Sequence, residues 1–326
     1  MSVRSGRANH HQPATPAVTS QSARAEPVPD SKVVAIVNPT KVGDVEAARA
    51  WLDKQFADHG EPGPTWVQTT VDDPGAGQAR AAVESGAHLV LSWGGDGTAR
   101  AVADGLAQSD VALGIIPGGT GNLLARNLDI PLDLEAAVLV ALTGTDRVID
   151  LLEVGLGGRT MTGAVIAGMG LDAAMMQAPE GLKSRVGPAA YVVGMAKGLR
   201  RGQMRVGVAV DGSAPRWMSA RTVLVANVGG LVAGLDVVPE AQPDDGRLKV
   251  VVLPLRSAVD WARTAASLVR RPAGTGPSRV VLTGRSALIV ARSPQPRQVD
   301  GDVVAKGSRL EVRVRPGALR VRVPEG

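Results

Sequence analysis

Leu89-Val90-Leu91-Ser92-Trp93-Gly94-Gly95-Asp96-Gly97-Thr98 joins an apolar run to a glycine-rich turn, and the helix-like stretch 99–108 follows. A short apolar run bounded by turn residues reads as a buried strand. The glycines let the backbone turn sharply and approach a ligand closely. Amides exposed at the start of the next helix would face a phosphate, whose charge the helix dipole favours. Asp96 is out of place for binding alone, because a carboxylate repels a triphosphate unless a metal or a proton intervenes. The plainer reading is a strand-to-helix turn that Asp96 and Thr98 cap.

A second stretch of the same kind lies close behind. Residues 111–117 form another strand candidate, followed by Gly118-Gly119-Thr120-Gly121-Asn122 and a helical 123–128. Two glycine turns in adjacent βα units would lie side by side at one sheet edge, where open α/β sheets bind ligands.

Upstream, residues 32–37 read as a strand ending in Asn38-Pro39-Thr40, and 44–59 show helical spacing. A second strand is expected at 66–69 and helices at 75–86 and 133–143. Strands alternating with helices predict a parallel, doubly wound sheet.

Near Asp150 the pattern changes. Strands are expected at 148–154, 159–167, 204–211, 220–227, 248–253, 279–282 and 287–291, with helices at 172–178, 188–200 and 257–271. Residues 309–314 and 319–323 alternate Val or Leu with charged residues across Pro316-Gly317, which predicts a hairpin with a basic solvent face. The fold class is therefore α/β plus β. Residues 1–30 read as a disordered tail, 31–150 as a doubly wound nucleotide-binding domain, and 151–326 as a mostly antiparallel β-sandwich domain.

Composition narrows the chemistry. The 326 residues include no cysteine, which excludes disulfides, thiolate metal sites and cysteine nucleophiles. The histidines are His10, His11, His59 and His88, two of them in the tail, so a Ser-His-Asp triad has little to draw on. A net charge of +5 favours anionic partners, yet one Tyr and one Phe leave little aromatic surface for stacking nucleic-acid bases. No run approaches the roughly 20 apolar residues of a spanning helix. The N-terminus lacks an apolar signal core, so a cytoplasmic protein is expected.

Three further motifs have competing readings. Gly168-Met169-Gly170-Leu171-Asp172-Ala173 fits a dinucleotide fingerprint but reads better as a tight strand-to-helix turn. In 239–247 adjacent carboxylates form either an aspartate-stabilised turn or an oxygen-rich cation site. Gln298-Val299-Asp300-Gly301-Asp302 is either a hairpin turn or the seat of a general base.

From residue 33 to 323 the chain resembles the soluble bacterial diacylglycerol and lipid kinases, a family that includes sphingosine-type kinases. The most specific marks are Gly94-Gly95-Asp96-Gly97-Thr98 and Pro117-Gly118-Gly119-Thr120-Gly121-Asn122. Asn38-Pro39, Ala226-Asn227, Pro239 with Asp245-Gly246, and Val299-Asp300-Gly301 support them. The first motif alone is shared with NAD kinases. The resemblance implies ATP and Mg²⁺, with ATP against Asn38, Thr69 (or the adjacent Thr70), the turn Gly94, Gly95, Asp96, Gly97 and Thr98 with the following residues to 101, and Gly119, Thr120 and Asn122. It implies a structural magnesium held by Asp245 with backbone oxygens of Gln242 and Arg247. Asp96 would help seat the catalytic ion. The proton acceptor would be Asp302, or Asp300 beside it.

This chain departs from the family pattern twice. Arg100-Ala101 stands where Asn-Glu is usual, and Asp302 stands where Glu is usual. The expected activity is transfer of the ATP γ-phosphoryl group to a lipid hydroxyl, diacylglycerol giving phosphatidic acid. The alternatives are an NAD kinase, a sphingosine or ceramide-type kinase, and a nucleotide- or lipid-binding protein without turnover. Expected partners are ATP and a lipid at an anionic membrane surface, with no nucleic acid and with a homodimer left open. Lys183, Arg185, Arg200, Arg201, Arg270 and Arg271 are the candidate headgroup contacts.

Overall fold

Apolar side chains alternate along Val33, Val34, Ala35, Ile36 and Val37, and the two sets enter two different cores. That alternation makes the first strand the centre of a sheet covered on both faces. In the computed structural model, residues 32–170, 203–232, 235–236, 238, 241–254 and 279–325 are described. The tail 1–31, the helices expected at 172–178, 188–200 and 257–271, and the six basic headgroup candidates lie outside them.

The chain runs β1 (Lys32–Val37), α1 (Pro39–Val42), α2 (Val45–Asp58), β2 (Thr65–Gln68), α3 (Ala76–Glu84), β3 (Ala87–Gly94), α4 (Asp96–Leu106), β4 (Ala112–Pro117), α5 (Leu123–Asn127) and α6 (Leu134–Thr143). Strands β2, β1, β3 and β4 lie side by side in that order, all parallel. Leu52 and Phe56 of α2 and Val138 and Ala141 of α6 pack on one face. Ala79 of α3 and Val102, Ala103 and Leu106 of α4 pack on the other. The doubly wound expectation holds. Asp44 and Asp133 cap α2 and α6 by accepting the N–H of Ala47 and Ala136.

The second half runs β5 (Thr145–Gly155), β6 (Thr160–Gly163), β7 (Ile166–Gly170), β8 (Met204–Val210), β9 (Arg216–Ala220), β10 (Thr222–Ala226), β11 (Gly230–Val232), β12 (Leu235–Asp236), β13 (Leu248–Leu253), β14 (Val280–Gly284), β15 (Ser286–Val299) and β16 (Asp302–Val323). The pairings within this half are antiparallel. Leu152, Met169, Val206, Val223, Val250, Ile289 and Leu310 from seven of these strands meet in one apolar core, the β-sandwich-like half.

Three local expectations need correction. Residues 309–323 form no hairpin, because β16 runs on as one strand against β5, from Glu311 opposite Gly155 to Val323 opposite Thr145. Pro316-Gly317 is a bulge: the register shifts between Arg315 and Leu319, Gly317 takes φ +57, and its N–H bonds Asp150 Oδ1 at 2.8 Å. The strand expected at 159–167 breaks into β6 and β7, because the N–H groups of Ala164, Val165 and Ile166 turn onto the Asp300 carboxylate. Gly168-Met169-Gly170 lies inside β7, paired with β10 and β15, so the glycines belong to the strand, and the rest of that motif, 171–173, lies outside the described residues.

The C-terminal end of β16 also pairs in parallel with β4, through Arg320 and Val321. The change of pattern at Asp150 falls within β5, both halves of which pair with β16. One continuous sheet thus ties the second half to the first.

Candidate active site

The C-terminal ends of parallel strands carry the site. Gly94 of β3 stands opposite Pro117 of β4, so the two glycine turns begin side by side, and Gly118 N–H donates to Gly94 O at 2.8 Å. The glycines are required by approach: a Cβ on Gly119 would lie 2.8 Å from Gly95 Cα, and one on Gly94 would lie 2.7 Å from the Thr98 side chain. Asp96 opens α4 but reaches across to the other turn. Its Oδ2 accepts Asn122 N–H at 2.9 Å and its Oδ1 accepts Leu123 N–H at 2.5 Å. Asn122, at φ +47, folds its own turn by accepting from Gly119 N–H and donating to Gly119 O. One carboxylate thus locks the two turns together. Burial pushes the Asp96 carboxyl up, the Leu123 and Asn122 amides oppose that, and the negative charge of Asp302 adds to it.

Asn38 follows β1 and caps α1, accepting from Thr40 N–H while its Nδ2 donates to buried Thr98 Oγ1 at 3.2 Å. Thr120 is exposed on the second turn. Thr69 is buried at the end of β2, with its N–H on Val37 O, whereas the neighbouring Thr70 hydroxyl accepts Asp73 N–H. Lys41 was missed by the sequence reading. Its side chain lies beside both turns, 3.4 Å from a Cβ built on Gly118 and 3.9 Å from one on Gly95. The signal was available: a lysine one residue past Asn38-Pro39-Thr40, in the first turn after a central strand.

The two aspartates of the β15–β16 connection have different surroundings. Asp300, at φ +49 and buried, accepts Ala164 N–H on one oxygen and those of Val165 and Ile166 on the other, at 2.7–2.9 Å. Burial pushes its carboxyl up against the pull of these amides. Asp302 is 52% exposed, and its Oδ2 accepts from Arg100 Nη2 at 2.5 Å. A Cβ on Gly97 would lie 3.5 Å from that same oxygen. The structure therefore brings Asp96, Gly97, Arg100 and Asp302 together over the first turn of α4, and the two positions that depart from the family pattern touch. Arg100 Nε–H is buried without an acceptor among the described residues.

The loop 242–247 lies elsewhere. Asp245 Oδ1 accepts Arg247 N–H, and its Oδ2 is 3.7 Å from the ammonium of Lys249, whose side chain is 12% exposed. Asp244 takes two bonds from Arg147. Asp150 accepts the N–H of Gly246 and Gly317, and burial pushes its carboxyl up. Among the described residues no group of three or more acidic or histidine side chains is placed to hold a metal. Asp245, whose Oδ2 also faces Lys249, and the backbone oxygens of Gln242 and Arg247 are the groups that would hold the expected structural magnesium. Asp96 is placed to hold a divalent cation: its carboxylate accepts from backbone N–H groups only, with no cationic side chain on it, and the Asp302 charge faces it.

Residues 32–154 match the diacylglycerol kinase catalytic domain, and residues 164–323 match the YegS C-terminal NAD kinase beta sandwich-like domain. A Pseudomonas aeruginosa protein named "Probable lipid kinase YegS-like" is 34% identical over 271 residues, covering 80% of this chain and 85% of that one. A protein of the same name from Stenotrophomonas maltophilia is 29% identical over 259 residues, covering 75% and 82%. The crystal structure of a diacylglycerol kinase from Bacillus anthracis superposes with a TM-score of 0.69 at 20% identity, covering 90% of this chain and 97% of that one. At that identity the likeness speaks for the fold.

Proposed function

Because the chain belongs to the family of lipid kinases built on the diacylglycerol kinase catalytic domain, we propose that it transfers the γ-phosphoryl group of ATP to the hydroxyl of a membrane lipid, diacylglycerol being the acceptor. The observation that carries this reading is the position of Asp302, an exposed carboxylate held by Arg100 over the glycine turn.

In this mechanism the amides of the two glycine turns and the ammonium of Lys41 receive the phosphates, with Asn38, Thr69, Thr98 and Thr120 around the nucleotide. The lipid hydroxyl oxygen attacks the γ-phosphorus, the bond to the departing ADP oxygen breaks, and the hydroxyl proton passes to Asp302. Asp300 is a positioning residue: it pins the connection so that Asp302 faces α4. Asp96 would hold a magnesium ion, whose contribution when bound is to neutralise phosphate charge. Asp245, with backbone oxygens of Gln242 and Arg247, would hold a structural magnesium. The nucleotide falls to residues 31–150 and the lipid to 151–326, with Asp302 the contribution of the second part to the reaction. The basic chain would meet its substrate by docking peripherally on an anionic membrane.

The test is γ-labelled ATP offered with diacylglycerol in mixed micelles, with sphingosine and with NAD. Label in phosphatidic acid is the expected result. Label in NADP, or in none of the three, would contradict it.

A further inference from the structure

Arg297 lies on β15, two residue pairs along the β15–β16 ladder from Val299 and Asp302. It is 4% exposed. Its Nε and Nη2 donate to Ala305 O at 3.0 and 2.7 Å, and its Nη1 donates to Leu156 O at 3.0 Å and Arg309 O at 2.7 Å. Four of the five guanidinium N–H bonds thus end on carbonyls, and the fifth has no acceptor among the described residues. Carbonyls satisfy donors without neutralising charge, and no carboxylate among the described residues pairs with Arg297. A buried cation without a counter-ion is costly, and an anion bound beside it would lower that cost.

The surroundings have the same sign. Arg297 lines an open cavity of about 400 Å³ together with Arg159, Lys306, Ser308 and Arg309, and no acidic side chain is in its lining. Arg309 is paired with Glu311, while Arg159 and Lys306 form no ion pair among the described residues. Gly307 lies directly against the guanidinium, where a Cβ would stand 2.5 Å from Arg297 Cζ. Burial, then the charge of Arg159, pushes Arg297 down from its ordinary value, the mark of an uncompensated positive field.

We propose that this cavity is a phosphate-monoester site, with Arg297 as its floor and Arg159 and Lys306 at its rim. A phosphate monoester carries up to two negative charges and three acceptor oxygens, which suits a planar guanidinium with one donor to spare and two exposed cations. The ligand is either a soluble phosphate or the headgroup of a phosphorylated lipid. Either would bear on the strand ladder that carries Asp302. The site shares no lining residue with the glycine turns and does not depend on the kinase reading.

The experiment uses the full chain with two probes: inorganic phosphate in a chloride background, and phosphatidylcholine vesicles with and without phosphatidic acid. Four proteins are compared: wild type, Arg159→Gln/Lys306→Gln, Arg297→Lys, and Lys41→Gln as the control for the glycine turns. The double variant changes exposed side chains only, so it should melt at the wild-type temperature without ligand even if Arg297→Lys does not fold. A phosphate affinity reduced at least about tenfold in the double variant and retained in Lys41→Gln supports the site with a soluble ligand. Silence toward phosphate, with vesicle binding that needs phosphatidic acid and is lost in the double variant, supports it with a lipid headgroup. Equal binding of both probes by wild type and double variant, loss only in Lys41→Gln, or no binding of either probe overturns it.

Discussion

Asp300 and Asp302 show why one residue type two positions apart takes two roles. The sequence left the base open between them, because Val299-Asp300-Gly301-Asp302 reads the same whichever carboxylate faces outward. What separates them is contact with segments far along the chain, the amides of residues 164–166 for Asp300 and Arg100 for Asp302. Asp300→Asn puts an amide NH₂ against backbone N–H groups and should cost about 2 kcal/mol or more in a urea titration; an unchanged midpoint would deny it the positioning role. Arg100→Ala should lower kcat on the order of tenfold to a hundredfold by freeing Asp302, with Arg100→Lys recovering part of the loss. A second consequence concerns pH. Asp96, Asp150 and Asp300 are all pushed up by burial. Above the usual aspartate value the unfolded chain has released these protons while the folded chain still holds them, so each costs stability as pH rises through that window. The wild-type melting temperature minus that of Asp96→Asn should therefore fall as pH rises above about 4; a difference that grows with pH would contradict it.

Elements were most legible where local pattern and tertiary demand agree. The parallel strands, their helices and the two glycine turns could be read directly, since apolar runs and punctuating glycines determine them. The interlock of those turns could not, because it depends on the β3–β4 register and on Asp96 reaching the amides of Asn122 and Leu123. Gly119→Ala forces a Cβ to within 2.8 Å of Gly95 Cα. It should raise the KM for ATP by about a hundredfold, the usual penalty for displacing a binding element by an ångström. Pro316-Gly317 misled for a related reason. The pair has turn chemistry, but β5 supplies Asp150 to hold Gly317 N–H, and a bulge becomes the better outcome. Gly317→Ala, at φ +57, should destabilise by about 1–2 kcal/mol; no loss in a denaturation series would mean that the bulge carries no strain requirement.

At the scale of the whole molecule, β16 returns from the sandwich-like half to pair with β4, and the same strand begins at Asp302. The sequence gives no hint of this return, because the partners are separated by about two hundred residues and neither carries a pairing signal. It is what allows a carboxylate near the C-terminus to stand over a helix that begins at residue 96. The net charge of +5 adds a surface expectation: co-sedimentation with anionic vesicles should fall steeply with salt, and binding to neutral vesicles at high salt would assign docking to something other than charge. The most direct measurement is the rate of phosphatidic acid formation at saturating ATP and diacylglycerol by wild type, Asp302→Asn and Asp300→Asn, each confirmed folded by its melting curve. Asp302→Asn should lose on the order of 10²–10⁴ in kcat, the usual worth of a positioned base, while folded Asp300→Asn, which loosens the connection but leaves the base in place, loses less. Near-normal turnover by Asp302→Asn, or a large loss in folded Asp300→Asn alone, would contradict the assignment.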